Sequence, residues 1–486
     1  MRRWNRIAGI IAAAGLCWMT AGCSSQTGGD ARSLPYKESF VQAQTETEVV
    51  KPTQPDPSEI EPFPDGEKEV KAEPLKGGKR IVIMTDIHYL ASSLTDKGDM
   101  FQSMVEHGDG KLTNYVWEIT DAALEEVQLL SPDVLVLSGD LTLQGEKKSH
   151  GELAKKLEEV EKNGTAVVVI PGNHDINNHS AAVYSGGDRY PAEPTTPEDF
   201  ARIYGPFGYE EAYSRDGKSL SYTYDLDPSM RLLMLDTCQY TPRNRVGGMI
   251  KTETYEWIEK QLADAREQGV ILLPIAHHNL LDQSKVYVDD CTIEHSSELI
   301  DMLESENIPL FLSGHLHVQH FMQNNDIGIY EIVTSSLSTP PCQYGVLEYM
   351  ENESFSYYTK QVDIEKWARK HQMTDENLLN FNTYSPPSLN RIFYNQAYDA
   401  MKNSREEETG DIFVQLTETE KQQMSRVYAD INSACYGGKA YQVVEEAVKQ
   451  PGYKLWQEYC YPIIPYEYLE YIVEDAVKDY NYLSVD

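Results

Sequence analysis

Residues 166–175 read Ala-Val-Val-Val-Ile-Pro-Gly-Asn-His-Asp. A short, β-branched apolar run that stops at turn residues reads as a buried strand. The same pattern recurs along the chain. Arg80–Thr85 leads into Asp86-Ile87-His88, Val134–Ser138 into Gly139-Asp140, and Leu232–Leu235 into Asp236-Thr237. Ile271–Ala276 leads into His277-His278, and Pro309–Ser313 into Gly314-His315-Leu316-His317. Helical patterns over Asn114–Leu130, Ser149–Lys162, Thr252–Gln268 and Ser296–Glu306 alternate with these runs. Strands alternating with helices predict an α/β fold, and in such sheets ligands gather at the carboxyl ends of the strands. The Asp, Asn and His clusters would converge there.

The converging residues are metal-ligand types. Asp86, His88, Asp140, Asn173, His277, His315 and His317 supply seven oxygen or imidazole donors. A single tetrahedral zinc takes at most four protein ligands. Seven fit two ions that share a carboxylate, the arrangement used for in-line displacement at phosphorus with ions roughly 3.5–4 Å apart. Any one piece alone is weak, because Gly-Asp is a common turn pair and a lone His after a strand is more often structural. The tetrapeptide Gly-Asn-His-Asp is required by no fold rule, and all the pieces occur together at strand ends.

In this order, Asp-x-His, Gly-Asp, Gly-Asn-His-Asp, His and Gly-His-x-His, the chain resembles the calcineurin-like metallophosphoesterase family over about Lys79 to Lys360. The resemblance implies that Asp86, His88, Asp140 and His317 hold one metal ion. Asp140, Asn173, His277 and His315 would hold a second, with Asp140 bridging. His277 is preferred to His278 because the first of two adjacent histidines usually fills this slot in the family. The resemblance also implies a four-layer α/β/β/α sandwich and metal-dependent hydrolysis of a phosphoester by metal-activated hydroxide. N and O donors suit Mn²⁺, Fe²⁺ or Zn²⁺.

Departures narrow the branch. Leu143 stands where the tyrosyl-iron acid phosphatases carry Tyr, and Gly139-Asp140-Leu141-Thr142-Leu143-Gln144-Gly145 departs from the Gly-Asp-x-Val-Asp-Arg-Gly of protein phosphatases. The motifs look most like the branch that contains class III cyclic-nucleotide phosphodiesterases. By the same analogy His174 is the proton donor to the leaving group, and Asp175 either orients it or serves as a turn residue. Asp236-Thr237 reads as a buried hydrogen-bonding corner rather than a ligand. His320 faces either the cleft or the surface. The long segment Ser92–Asn114 reads as a loop from which Lys111 either reaches a phosphate or stays solvated.

At the start, Arg2, Arg3 and Arg6 precede the apolar stretch Ile7–Met19, and Thr20-Ala21-Gly22-Cys23 follows. This resembles a bacterial lipoprotein signal in residues 1–22 with Cys23 as the lipidated residue, although Thr20 replaces the usual Leu. A cleaved soluble product or an uncleaved anchor are the lesser alternatives. Residues 23–78, rich in Pro, Glu, Thr and Gln, are expected to form a disordered tether. Residues 79–365 are expected to be the phosphoesterase domain, closed by antiparallel strands in Gln343–Val362. Residues 366–486 are expected to be a C-terminal helical domain, with helices in Ser388–Ser404, Glu418–Ala434, Tyr441–Lys449 and Tyr466–Asp479 and many Tyr on their apolar faces.

A net charge of −35 over 486 residues argues against surface binding of nucleic acid, which needs a basic footprint. It suits an extracytoplasmic body held at a bacterial membrane through its lipid anchor, with a small phosphoester as substrate. Of the seven Cys, Cys238, Cys291, Cys342, Cys435 and Cys460 lie in the folded part with no zinc-type spacing, and Cys435 could pair with Cys460 in an oxidising compartment. Phosphodiesterase and phosphomonoesterase or nucleotidase activity both remain open. So does a different class, a lipid-tethered binding protein without turnover, although no ligand is missing.

Overall fold

The structure is a computed structural model that describes residues 71–324, 328–403, 413–460 and 464–486. The expected leader, the Cys23 box and most of the expected tether lie outside the described residues. The apolar runs of the sequence all become strands: β1 (Gly78–Met84), β2 (Val134–Ser138), β3 (Ala166–Ile170), β8 (Met230–Leu235), β9 (Ile271–Ala276) and β10 (Leu310–Ser313).

They divide between two sheets. One has the order β15 (Tyr482–Val485), β14 (Phe355–Gln361), β13 (Gln343–Met350), β1, β2, β3. The other runs β11 (His320–Gln323), β12 (Tyr330–Val333), β10, β9, β8, β7 (Tyr222–Asp227), β6 (Ser214–Arg215). A separate hairpin joins β4 (Ala182–Ser185) to β5 (Asp188–Pro191).

Register decides where the motifs emerge. Parallel pairing sets Met84 against Leu137 and Ser138 against Ile170, so the turns holding Asp86, Asp140 and Asn173 leave one edge together. In the second sheet Leu235 faces Ala276 and Ile275 faces Leu312, which brings out Asp236, His277 and His315 at the matching edge.

Alternation along β8 shows the layering. Leu232 and Met234 join the core between the sheets, while Leu233 and Leu235 pack outward with Ile258, Leu262, Leu299 and Leu303 of the helices Thr252–Gln268 and Ser296–Ser305. The first sheet is covered by Ile119, Ala123, Leu153 and Leu157 of the helices Val116–Leu130 and Lys147–Lys162. These are the four layers α/β/β/α. Burial on both faces is why the parallel strands read as continuous apolar runs.

The C-terminal region is helical, in Phe381–Lys402, Glu418–Tyr436, Pro451–Tyr459 and Ile464–Asp475, with its own core around Met424, Val427, Ile431, Trp456 and Leu469. Among the described residues, no helix is long and apolar enough to cross a membrane.

Several expectations are corrected. The division at 365/366 is crossed by β15, which returns to pair antiparallel with β14 and so belongs to the first sheet. The expected tether to residue 78 ends earlier, since the Ala72 N–H already donates to the Leu129 carbonyl at 2.7 Å. Ser92–Asn114 is no open loop: it contains the helix Asp99–Glu106, anchored by buried Phe101. Cys435 and Cys460 are both free thiols.

Candidate metal centre

Asp86 and His88 follow β1 on a backbone that no regular strand could continue. Their φ angles are +53° and +50°, and Asp140, His315 and His317 have +48°, +71° and +61°. Left-handed backbone costs an L-residue about 1–3 kcal/mol each, and it clusters where geometry serves a site. Here it turns five side chains inward at the ends of three strands.

The first cluster comprises Asp86, His88, Asp140 and His317, whose ligand atoms all lie within 4.8 Å of one another. Asp86 Oδ2 accepts from the Thr85 hydroxyl at 2.7 Å and from the His315 N–H at 3.0 Å. That fixes the carboxylate and leaves Oδ1 facing His317 Nε2 at 3.3 Å, buried and without a hydrogen-bond partner. The Nε2 atoms of His88 and His317 face each other at 3.0 Å, although both rings are buried.

The second cluster is built around His277. Its Nδ1–H donates to the Ser138 carbonyl at 2.9 Å, which fixes the tautomer and points Nε2 inward. Nε2 lies 3.1 Å from Asn173 Oδ1, 3.5 Å from Asp140 Oδ1 and 3.3 Å from His315 Nδ1. The His315 Nε2–H donates to the Asp290 carbonyl at 2.9 Å, so its Nδ1 is the inward atom.

His278 also stands near His277 and His315, but both of its nitrogens are occupied. Nε2–H donates to the Val246 carbonyl at 2.8 Å, and Nδ1 accepts from the Thr237 hydroxyl at 2.7 Å. His277 is therefore the better-placed ligand.

Asp140 lies between the two sets. Oδ1 faces His277, while Oδ2 stands 3.8 Å from His88 Nε2. The charges behave as expected of such a cluster. Burial opposes ionisation of Asp140, but the neighbouring His174 and His277 hold its carboxyl well below the ordinary range. Burial would lower His277, yet the Asp140 charge and hydrogen bond and the Asp86 charge raise it to about 9. Burial first, and then the Lys111 charge, pushes His88 well down. Orphaned buried Asp86 Oδ1, inward imidazole lone pairs and a carboxylate shared by two donor sets fit two divalent ions.

His174 stands at the edge of the centre. Its Nδ1–H donates to the Leu143 carbonyl at 2.8 Å, leaving Nε2 as the atom that faces Asp140 Oδ2 at 3.9 Å. Asp175 does not touch the His174 ring, contrary to the orienting role weighed for it. It is fully buried and accepts from the N–H groups of Gly172, Leu141 and Thr142 at 2.8, 3.1 and 3.0 Å. It thereby clamps the Asp140 turn to the Asn173 turn, the turn-residue alternative.

Asp236 is a hydrogen-bonding corner, accepting from the Leu220 and Cys238 N–H groups and the Tyr240 hydroxyl. His320 bridges Gln283 and Asp475 away from the metal cluster. Lys111 is buried, paired with Asp109 at 2.6 Å, and its charge is felt at His88 and His174.

Sequence reasoning missed the supports from distant segments. Asn244 donates to the Asn173 carbonyl at 2.6 Å, and Ser336 and Ser338 donate to the Asp86 carbonyl at 2.8 and 3.1 Å. Nothing local to those residues signals the contact.

All seven donors lie within residues 79–319, which match the calcineurin-like phosphoesterase family. Residues 79–319 form a calcineurin-like phosphoesterase domain. Such a domain is a phosphoric ester hydrolase, and its match ends two residues beyond His317. The next stretch, residues 363–479, matches the C-terminal domain of cyclic nucleotide phosphodiesterase.

A Synechococcus protein named probable cyclic nucleotide phosphodiesterase is 26% identical over 200 residues, 40% of this chain and 62% of that protein. The Escherichia coli 3′,5′-cyclic adenosine monophosphate phosphodiesterase CpdA is 24% identical over 249 residues, 50% of this chain and 72% of its own. The chain thus spans less than two thirds of the length of the first of these relatives. The solved structure of a dimetal phosphatase from Danio rerio is 12% identical, with a TM-score of 0.41 over 58% of this chain and 95% of its own.

Proposed function

We propose that this protein hydrolyses a phosphodiester of cyclic-nucleotide type at a two-metal centre. The observation that carries the reading is the position of Asp140, whose two carboxylate oxygens face two separate donor sets. In this reading Asp86, His88, Asp140 and His317 hold one ion, and Asp140, Asn173, His277 and His315 the other. Two divalent ions bound there would polarise the phosphoryl oxygens and acidify the attacking water. The substrate class is supported by the match over residues 363–479 and by the names of the relatives.

The remaining chemistry belongs to the chain. His174, held through Nδ1, presents Nε2 as the atom that carries a proton to the leaving oxygen. Asp175 keeps the Asp140 and Asn173 turns in register through the N–H groups it accepts. Lys111 adds a buried positive charge beside the centre, where a phosphoryl oxygen would meet it.

The test is metal content and turnover in the purified protein, assayed against cyclic nucleotides, aryl phosphodiesters and phosphomonoesters. Asp140→Ala is expected to lose turnover and to reduce metal at both sites. Two ions retained in Asp140→Ala would refute the bridging role, and preference for monoesters would replace the diesterase reading.

We further propose that residues 1–22 are a lipoprotein signal and that Cys23 carries the lipid, placing the enzyme outside the membrane. The support is the sequence of Arg2 to Cys23 and the net charge of −35. Cys23→Ala should move the protein from the membrane fraction or leave an unprocessed precursor. Wild-type protein found in the cytoplasm with residues 1–22 attached would end this reading.

A further inference from the structure

The helical region does more than cover a sheet. Leu316, between His315 and His317, packs with Val318 against Leu389, Phe393, Ala429 and Tyr436. The Gln319 N–H donates to the Tyr436 carbonyl at 3.0 Å, so the turn bearing two of the metal-ligand histidines is seated on the helices Phe381–Lys402 and Glu418–Tyr436.

Beside this seam the two units part and leave a cleft. Asp109, Cys291 and Leu316 wall it on the phosphoesterase side, and Phe393, Tyr428 and Tyr468 on the helical side. The lining rings are set edge to face: Tyr287 meets Tyr468 at 4.7 Å and 63°, and Phe393 meets Tyr436 at 5.0 Å and 71°.

Three residues of the cleft wall are tied to the metal centre through their neighbours. Leu316 is flanked by two ligands. Asp109 is salt-bridged at 2.6 Å to Lys111, whose charge acts on His88 and His174. Cys291 follows Asp290, whose carbonyl holds His315.

Several polar groups are placed among the rings, and two of them are held in position. The Asn432 amide donates to the Tyr428 carbonyl at 2.8 Å, one of the two N–H bonds it can offer. His320 is held between Gln283 at 2.7 Å and Asp475 at 3.0 Å.

Aromatic walls interleaved with placed hydrogen-bonding groups suit a flat, polar-edged ring. Nucleobases stack on aromatic side chains, because every base has a π-face. A phosphate is not the occupant, because Asp109 and Asp475 both line the cleft. An alkyl chain would leave the Asn432 amide facing apolar groups, which is unfavourable.

We propose that this cleft binds the nucleobase of the substrate, so that the helical region sets the base preference of the phosphoesterase domain. The proposal rests on the cyclic-nucleotide reading above for the position of the phosphate, and the test separates the two.

The metal-loaded protein is titrated with adenosine, which has no phosphate, and binding is followed by tyrosine fluorescence and ligand-observed NMR. The same protein is assayed on cyclic AMP and on its base-free analogue, 1-deoxyribose 3,5-cyclic phosphate. Wild-type protein should bind adenosine and use cyclic AMP with the lower KM. Tyr468→Ala and Asn432→Leu should each weaken adenosine binding and raise the KM for cyclic AMP about tenfold, leaving the base-free analogue unchanged. Circular dichroism establishes that each variant is folded, and the base-free substrate serves as the internal control for the centre.

No adenosine binding by the wild type, or equal effects of the variants on both substrates, would overturn the cleft assignment. Adenosine binding without hydrolysis of either cyclic phosphate would uphold the cleft and overturn the diesterase reading instead.

Discussion

Gly172→Ala tests the centre without touching a ligand. A methyl group at Gly172 would stand 2.8 Å from Asp140 Cα and nearer still to its backbone nitrogen and Oδ1. Real Cβ contacts essentially never fall below 3.0 Å. Relieving the overlap requires the Asp140 and Asn173 turns to separate by about 1 Å in a region packed as densely as a crystal. Because Asp175 bonds to the N–H groups of both Gly172 and Leu141, that movement also strains the clamp. Misplacing catalytic groups by ~1 Å costs on the order of 10²-fold in rate. Overpacking of this kind destabilises by about 1–3 kcal/mol. Gly172→Ala is therefore expected to lose about two orders of magnitude in kcat, with reduced occupancy of the ions that Asp140 bridges. The assay pairs steady-state kinetics with elemental analysis and urea denaturation. Gly151→Ala, in the helix Lys147–Lys162 with nothing within 4 Å, is the control and should be neutral or slightly stabilising. Wild-type metal content with a kcat within threefold of wild type in Gly172→Ala would refute the close packing on which the centre is built.

Three further outcomes follow from the same geometry. His174→Ala should keep both ions and lose about 10²–10⁴-fold in rate, less for nitrophenolate leaving groups that need no proton; equal losses for good and poor leaving groups would reject the proton-donor role. His277→Ala should lose metal, whereas His278→Ala should retain two ions and lose stability through its broken bonds to Thr237 and Val246; two retained ions in His277→Ala would reverse that assignment. Glu146, fully buried, has its carboxyl pushed up to about 7 by burial, so it stays protonated in the fold while the unfolded chain ionises near 4.5. Its contribution is thus complete below pH 4.5 and lost as pH rises through 7, by about 3 kcal/mol. Glu146→Gln should remove that loss, so the stability difference between variant and wild type, measured in urea from pH 4.5 to 8, should grow with pH; a constant difference would show that Glu146 is ionised in the fold.

Strand positions and the convergence of the candidate donors were legible because each apolar run is buried on both faces and ends at a residue type with a chemical task. The run Ile271–Ala276 was found to the residue, as was the helix Thr252–Gln268. The choice between His277 and His278 was not legible from their adjacency. What distinguishes them is Thr237 and Val246, 41 and 32 residues away, which occupy the nitrogens of His278. The helix Pro451–Tyr459 was missed because Pro451-Gly452 reads as a turn pair, whereas the proline occupies the first helical position, where it lacks only a bond it would not make. Tyrosines on the C-terminal helices were visible as apolar faces, but a face carries no sign of what it covers. That Leu316 and Val318 seat on Phe393 and Tyr436 is a long-range fact of packing.

The return of β15 to β14 makes residues 362–481 an excursion between two neighbouring strands of a single sheet. Fastened at both ends, the helices cannot swing away from the metal centre as a domain on a flexible linker could. The same fastening sets a schedule for folding. Until residues 482–485 have been made and delivered, β14 presents an unpaired edge, the kind of template that recruits other chains. Loop closure across ~120 residues must precede that pairing, which places it late in folding. A shortened protein ending at residue 365 would accordingly be an aggregating sheet with an open side rather than a minimal enzyme.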